Sequence, residues 1–165
     1  MNQQDVLNGL ALASRTLLQS PVSIGVMSDH HAKVAQSWPA HPSGTGGWNW
    51  TWLRNNQHSP DKHFLHLSTN KQMFAALLLH LGQRQYITLE LVASDPNGST
   101  WKGKVLPSIF LGLQLANQAT TGIKRTELYI ESPAQGLEQH YQKVAHAAGY
   151  TTRSVTPNEI RLNFS

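Results

Sequence analysis

Cysteine is absent from this sequence, and its absence excludes both a disulfide framework and a catalytic thiol. Charged side chains are also scarce, at 13% of the chain, and the net charge of +4 is not gathered into a basic run or tail. The positive balance is compatible with an anionic ligand, but nucleic-acid-binding domains ordinarily cluster their lysines and arginines. A basic nucleic-acid-binding domain is therefore the least favoured of the alternatives.

Long hydrophobic runs are missing as well. The longest one, residues 73–79, is far too short to span a bilayer. Residues 1–5 lack the basic start of a signal peptide, so we expect a cytoplasmic protein with no membrane partner. With 39% hydrophobic residues and no internal repeat, linker or low-complexity tract, the 165 residues are expected to fold as one domain.

The first part of the chain predicts a helix, a strand and a second helix. Apolar residues recur at helical spacing over 5–18 and alternate over 22–26, as in a short strand. Ser28 is a suitable N-cap for a helix that runs to about Trp38. Residues 39–47 are rich in proline and glycine and indicate a loop.

Five later segments predict strands. Residues 63–67 form a short one, and 73–81 are almost continuously apolar, as in a strand covered on both faces. Residues 86–94 alternate, which places Ile87, Leu89, Leu91 and Ala93 on one face. Residues 151–155 and 160–164 flank a turn and indicate a closing hairpin.

The stretch 94–150 carries the strongest functional signal. Lys102, Gly103 and Lys104 form a basic loop, and a helix over 106–119 follows directly. Free backbone N–H groups and the helix dipole favour an anion at such a position, and glycine lets the backbone approach it closely. The loop therefore predicts a phosphate site.

A strand over 127–130 and a second helix over 134–148 complete this stretch. Ser132 is the predicted N-cap of that helix, with Gln135 as its capping-box partner. Tyr141 lies on the predicted inner face of the helix.

This order of strand, phosphate loop, helix, strand and helix with an inward tyrosine resembles the acetyl-CoA-binding half of the GNAT superfamily of N-acetyltransferases. The family's loop, Gln/Arg-x-x-Gly-x-Gly/Ala, is matched by residues 100–105, which have Thr100 and Val105 at its first and last positions. The later pattern, Tyr-x-Lys-x-Gly-Phe, is matched by residues 141–144 and, after additional residues, by Gly149-Tyr150.

The resemblance implies an α/β fold with a mixed, mostly antiparallel central sheet, flanked by helices on both faces and preceded by an N-terminal helical segment. Within the single domain 1–165, residues 1–62 would form the helical and loop region on the acceptor side. Residues 63–165 would supply the sheet and the acetyl-CoA-binding half. The implied activity is transfer of an acetyl group from acetyl-CoA to an amine by direct attack.

The resemblance also assigns residues to the cofactor and to catalysis. Those expected to bind acetyl-CoA are Val92, Ala93, Trp101, Lys102, Gly103, Lys104, Val105 and Ser132. Tyr141 is the expected general acid, because a phenol pKa near 10 is not far above that of the departing thiol, near 8.5.

Glu90 is the only acidic residue within the predicted central strands and is the expected general base. Burial would raise the pKa of its carboxyl group. A structural alternative is that Glu90 caps the sheet edge or pairs with Arg84. His80 is a second base candidate on the substrate side, with an ordinary pKa near 6.5.

Three tryptophans at alternate positions, Trp48, Trp50 and Trp52, leave two interpretations open. They would share one face if extended, whereas on a helix Trp50 would point away from the other two. Either they pack over the core, or Trp50 and Trp52 form a wall of the acceptor pocket.

Nine histidines invite a metal hypothesis, but no histidine–carboxylate motif accompanies them and no metal is expected. The expected partner is a small-molecule or peptide amine, and the resemblance favours a homodimer. The main rival function is a non-catalytic GNAT-fold binding module, which the departures at Thr100 and Val105 suggest.

Overall fold

Seven strands form a single sheet in this computed structural model, which describes residues 1–40, 47–82, 85–98, 100–134 and 136–165. In chain order the strands are β1 (Val22–Val26), β2 (Lys62–Thr69), β3 (Met73–His80), β4 (Tyr86–Ser94), β5 (Glu127–Glu131), β6 (Thr151–Val155) and β7 (Glu159–Asn163). Their order across the sheet is β1-β2-β3-β4-β5-β7-β6. All neighbours are antiparallel except β4 and β5, which are parallel.

Helices cover both faces of this sheet. They are α1 (Gln3–Leu18), α2 (Asp29–Ser37), α3 (Trp50–Asn56), α4 (Val105–Ala119) and α5 (Glu138–Ala147). Helices α1, α4 and α5 contribute to the larger core cluster on one face, while α2 and α3 contribute to a smaller cluster on the other. The predicted fold class is confirmed. None of the described helices has the length and apolar character needed to cross a membrane.

The N-terminal caps explain where two helices begin, and they correct one prediction. As predicted, Ser28 caps α2, its hydroxyl accepting the N–H of His31. The prediction that Ser132 caps α5 is wrong, because α5 begins at Glu138. Ser132 instead adopts a left-handed conformation, and its N–H donates to Asn158 O in the β6–β7 turn, 2.8 Å away. Gln135 lies outside the described residues.

A β-bulge interrupts the alternation of β4. Opposite β3, Leu78 pairs with Leu91 but Leu79 pairs with Leu89, so Glu90 is the extra residue. Ile87 and Leu89 therefore pack in the larger core, whereas Leu91 and Ala93 pack in the smaller one. The prediction that all four apolar residues share one face is wrong beyond this bulge.

Two stacked histidines join α2 to the sheet. The rings of His31 and His66 are 3.7 Å apart at an angle of 15°, and His66 Nδ1 lies 2.9 Å from the Ser68 hydroxyl. Burial, and secondarily the charge on His31, lowers the pKa of His66 from 6.5 to about 4. The ring of His66 is therefore neutral in the folded chain at neutral pH.

This pair makes stability depend on pH. Between pH 6.5 and 4 the unfolded chain binds a proton on His66 that the folded chain does not, so the free energy of unfolding falls as the pH falls through this range. We expect a loss of about 2 kcal/mol between pH 7 and pH 4 that His66→Gln removes. Urea unfolding at both pH values measures it, with the exposed His58→Gln as the control. Equal acid sensitivity in His66→Gln and the wild type would contradict the assignment.

Candidate functional site

The parallel strands β4 and β5 define the position of the site. They pair from Tyr86 to Leu89 and from Glu127 to Ile130, and the pairing ends there although β4 continues to Ser94. A groove opens between the two strand ends. Ligands of α/β proteins commonly bind beyond the carboxyl ends of parallel strands, because backbone groups and loops converge there.

A cavity of about 500 Å³ extends from this edge of the sheet between α4 and α5. Its size is within the usual range for a small-molecule or cofactor site. The lining comes from the end of β4, the glycine loop, the first turn of α4, one face of α5 and the segment after α2. Predicted site residues in that lining are Val92, Ala93, Trp101, Lys102, Gly103, Val105 and Tyr141. Sequence analysis thus identified residues from three separate elements that the fold brings together.

The glycine loop presents its backbone to this cavity. Gly103 has a φ of +74°, and a Cβ built there would meet nothing within 4 Å, so the loop is open at this residue. Helix α4 begins immediately afterwards, and Lys104 at its N-cap provides no side-chain hydrogen bond to the first turn. Pro107 has no N–H and the Ser108 N–H donates to Lys104 O, so the backbone amides of this turn that remain for an anion are those of Val105 and Leu106.

Trp101 fixes the shape of the same loop. Its indole N–H donates to Asp95 O at 2.9 Å, and its ring stacks on Phe74 with centroids 5.4 Å apart. The ring also lies directly against Gly98, where any Cβ would overlap it. Trp101 is buried, so its main contribution is to hold the loop beside the cavity.

Tyr141 is the buried tyrosine that faces the cavity. Its side chain is only 8% exposed, and among the described residues its hydroxyl has no hydrogen-bond partner. The other buried tyrosine, Tyr150, donates to Phe110 O at 2.7 Å. Burial raises the pKa of Tyr141 above 10, so its hydroxyl stays protonated at neutral pH. A protonated, unpaired hydroxyl can donate to a ligand.

The groove between the strand ends meets the cavity at Tyr141. It is small, about 30 Å³, and Val92 and Tyr141 line both spaces. The bulge residue Glu90 and Ser132 line the groove, together with Glu131 and Trp48. Tyr141 therefore stands between a cofactor-sized cavity and a space with carboxylates.

Glu90 has a neighbour that sequence analysis did not identify. Its carboxylate lies 3.4 Å from Lys62 Nζ, and both side chains are largely buried. The alternative partner, Arg84, lies outside the described residues. Glu90 is the extra residue of the bulge and lines the groove.

Four predicted site residues are not among the described residues that line the cavity or the groove: Trp50, Trp52, His80 and Lys104. Trp50 is fully buried in the smaller core, edge-on to Phe64, which favours the packing interpretation. Trp52 is exposed on α3. His80 ends β3 beside Thr88.

Conversely, sequence analysis did not assign to the site several described residues that line these spaces, among them Trp38, Trp48, Glu131 and His140. Trp48 was noticed in the tryptophan cluster but not assigned to a site. Glu131 follows a predicted strand whose parallel pairing with β4 was not visible in the sequence, and that pairing was the signal needed.

The fold defines the class of protein to which this chain is similar. Among solved structures, the chain has the fold of the GNAT N-acetyltransferases, and this confirms the resemblance at the level of fold. Neither a protein-family model nor a curated protein matches the sequence.

Three similar structures illustrate the match. A chimera of the spermidine N-acetyltransferase SpeG from Vibrio cholerae and hSSAT gives a TM-score of 0.60 at 8% identity, covering 87% of this chain and 94% of that one. The ribosomal-protein-S18-alanine N-acetyltransferase from Escherichia coli gives a TM-score of 0.56 at 16% identity, covering 87% of this chain and 94% of that one. AtaTR bound with AcCoA gives a TM-score of 0.52 at 14% identity, covering 87% of this chain and 93% of that one. At these identities the likeness shows the fold alone.

Proposed function

We propose that this chain is an acetyl-CoA-dependent N-acetyltransferase that acts by direct attack of an amine. The observation that carries the proposal is the position of Tyr141. Tyr141 is a largely buried residue with an unpaired hydroxyl among the described residues, and it lines both the cavity beside the glycine loop and the groove lined by carboxylates. A transferase of this kind needs a donor site, an amine site and a proton donor where the two meet.

The residues around the loop fit acetyl-CoA. Gly103 leaves space for close approach of a diphosphate, the amides of the first α4 turn favour an anion, and Lys102 adds a positive charge at the cavity. Val92 and Ala93 would contact the pantetheine arm along β4. Acetyl-CoA, when bound, supplies an activated thioester. AtaTR, which has the same fold, is bound with AcCoA, and this supports the proposal.

Glu90 and Tyr141 would move the protons. An alkyl amine has a pKa near 10.4 and arrives as the ammonium, so it must lose a proton before it can attack. Glu90 is the proposed acceptor, directly or through water, with Lys62 holding its carboxylate. Tyr141 is the proposed donor to the departing sulfur, because burial keeps its hydroxyl protonated.

Binding of acetyl-CoA tests the donor half of this proposal. At 100 times its Kd, the ligand should add about 2.7 kcal/mol to the stability of the folded chain, which a thermal shift measures. In Gly103→Ala we expect this stabilisation to be largely lost, since the added methyl group would enter the space left for the diphosphate.

Gly136→Ala is the matched control. Gly136 also has a positive φ, +84°, and space around its Cβ, but it is not among the described residues lining the cavity. Both variants should lose about 1 kcal/mol without ligand, because alanine is strained in this conformation. Only Gly103→Ala should lose the response to acetyl-CoA. No shift in the wild type at millimolar acetyl-CoA would favour the non-catalytic binding module instead.

A further inference from the structure

The groove between β4 and β5 has a charge opposite to that of the whole chain. Glu90 and Glu131 are the charged side chains among the described residues that line it, whereas the chain carries a net charge of +4. An acidic groove on a basic protein attracts cations locally, since nearby charges dominate the field inside a recess.

Only one of these two carboxylates has a partner. Glu90 pairs with Lys62 at 3.4 Å, so its charge is balanced. Glu131 is exposed and has no ion-pair partner within 4 Å among the described residues. The groove therefore keeps one negative charge, on the exposed Glu131.

Two further features of the groove point to a ligand. The hydroxyl of Tyr141 is unpaired among the described residues although the residue is only 8% exposed, and Tyr141 lines the groove. Trp48, which also lines it, is 37% exposed, and an exposed indole face attracts cations. The groove has a volume of about 30 Å³, which is enough for a small group such as a water molecule or an ammonium.

We propose that the acceptor is an alkyl amine with a second cationic group, and that Glu131 and Trp48 bind that second group. This inference rests on the proposed acetyltransferase function and names the substrate class of the same site. Because the groove is small, we place the reacting nitrogen in it and the rest of the acceptor against its exposed lining residues Glu131 and Trp48. A positive tail is favoured there, a neutral tail is tolerated and a negative tail is repelled.

Three amines of similar length test this preference: 1,5-diaminopentane, pentylamine and 6-aminohexanoate, whose tails are positive, neutral and negative. Acetylation, followed by release of the CoA thiol at low salt, should give kcat/KM values per amino group that fall in that order. We expect about a fivefold advantage of diaminopentane over pentylamine, as for an exposed ion pair, and a smaller advantage in added salt.

Glu131→Gln should lower kcat/KM for diaminopentane several-fold more than kcat/KM for pentylamine, and so remove most of this advantage. Glu138→Gln is the matched control, since it makes the same charge change on α5 at a residue outside the described groove lining, and it should keep the advantage. Trp48→Leu should weaken the preference too, because leucine keeps an apolar contact but has no ring face.

The outcomes separate this inference from the proposed function. Acetylation of all three amines at equal kcat/KM, or an advantage that survives Glu131→Gln, would overturn the inference and leave the transferase standing. If acetyl-CoA neither binds nor reacts, the proposed transferase function is wrong. Calorimetric titration of the wild type and Glu131→Gln with diaminopentane then tests separately whether Glu131 binds a cationic group. Binding that Glu131→Gln weakens would support it; binding equal in both proteins, or none, would overturn it.

Discussion

Tyr141→Phe is expected to lower kcat by at least about 100-fold while the chain folds as before. The substitution removes one oxygen, and in the described structure that oxygen makes no hydrogen bond to the protein, so little stability is lost. What is lost is the proposed proton donor for the sulfur. Steady-state kcat from thiol release, together with thermal unfolding of both proteins, measures the two effects.

Tyr150→Phe serves as the control, because it should lower stability and leave kcat unchanged. Its hydroxyl donates to Phe110 O at 2.7 Å inside the core, so its removal leaves a buried carbonyl without that donor. We expect a loss of about 1–2 kcal/mol in stability with kcat unchanged. A Tyr141→Phe protein with wild-type kcat would exclude Tyr141 from proton transfer.

Local sequence signals located most of the secondary structure. Residues 86–94 and 151–155 were predicted as strands and appear as β4 and β6 with the same bounds. Alternation of apolar residues and the turn residues that flank them act within a few positions, so such segments can be recognised without knowing their neighbours. The glycine loop before α4 was equally visible, because Gly103 and the start of α4 are adjacent in sequence.

Features that depend on distant partners were not predicted. The bulge at Glu90 arises from the register of β4 against β3, and no residue of β4 alone indicates it. Helix α5 begins later than expected, because Ser132 is tied to the distant Asn158. Local capping preference was overridden there by a tertiary contact.

The residues of the candidate site fall into the same two groups: some were predicted from local sequence, and others depend on distant partners. Tyr141 was found from its place in a pattern that follows the chain, and the structure puts it beside the loop that the same pattern contains. Trp48 and Glu131 belong to different halves of the chain and line one groove beside the paired strands β4 and β5. Trp50, which composition made conspicuous, packs in the core because Phe64 lies beside it.

The crossing of α1 and α4 should be the least tolerant position outside the site. A Cβ at Gly9 would overlap the carbonyl oxygen of Gly112, and one at Gly112 would lie 2.8 Å from Leu10 Cα. These neighbours are backbone atoms of packed helices, which cannot rotate away as a side chain can. We expect Gly9→Ala to lower the free energy of unfolding by about 2–3 kcal/mol, even though alanine favours a helix by about 1 kcal/mol.

Gly122→Ala is the control for this effect, because its Cβ would meet its nearest neighbour, Met1 N, at an ordinary 3.4 Å. Urea unfolding should show a change within about 0.5 kcal/mol there. Since α4 begins at the glycine loop, a displaced α4 should also weaken acetyl-CoA binding in Gly9→Ala, although Gly9 is not among the described cavity residues. Wild-type stability in Gly9→Ala would mean that the helices can separate freely, and the loop would then owe its position to Trp101 rather than to this crossing.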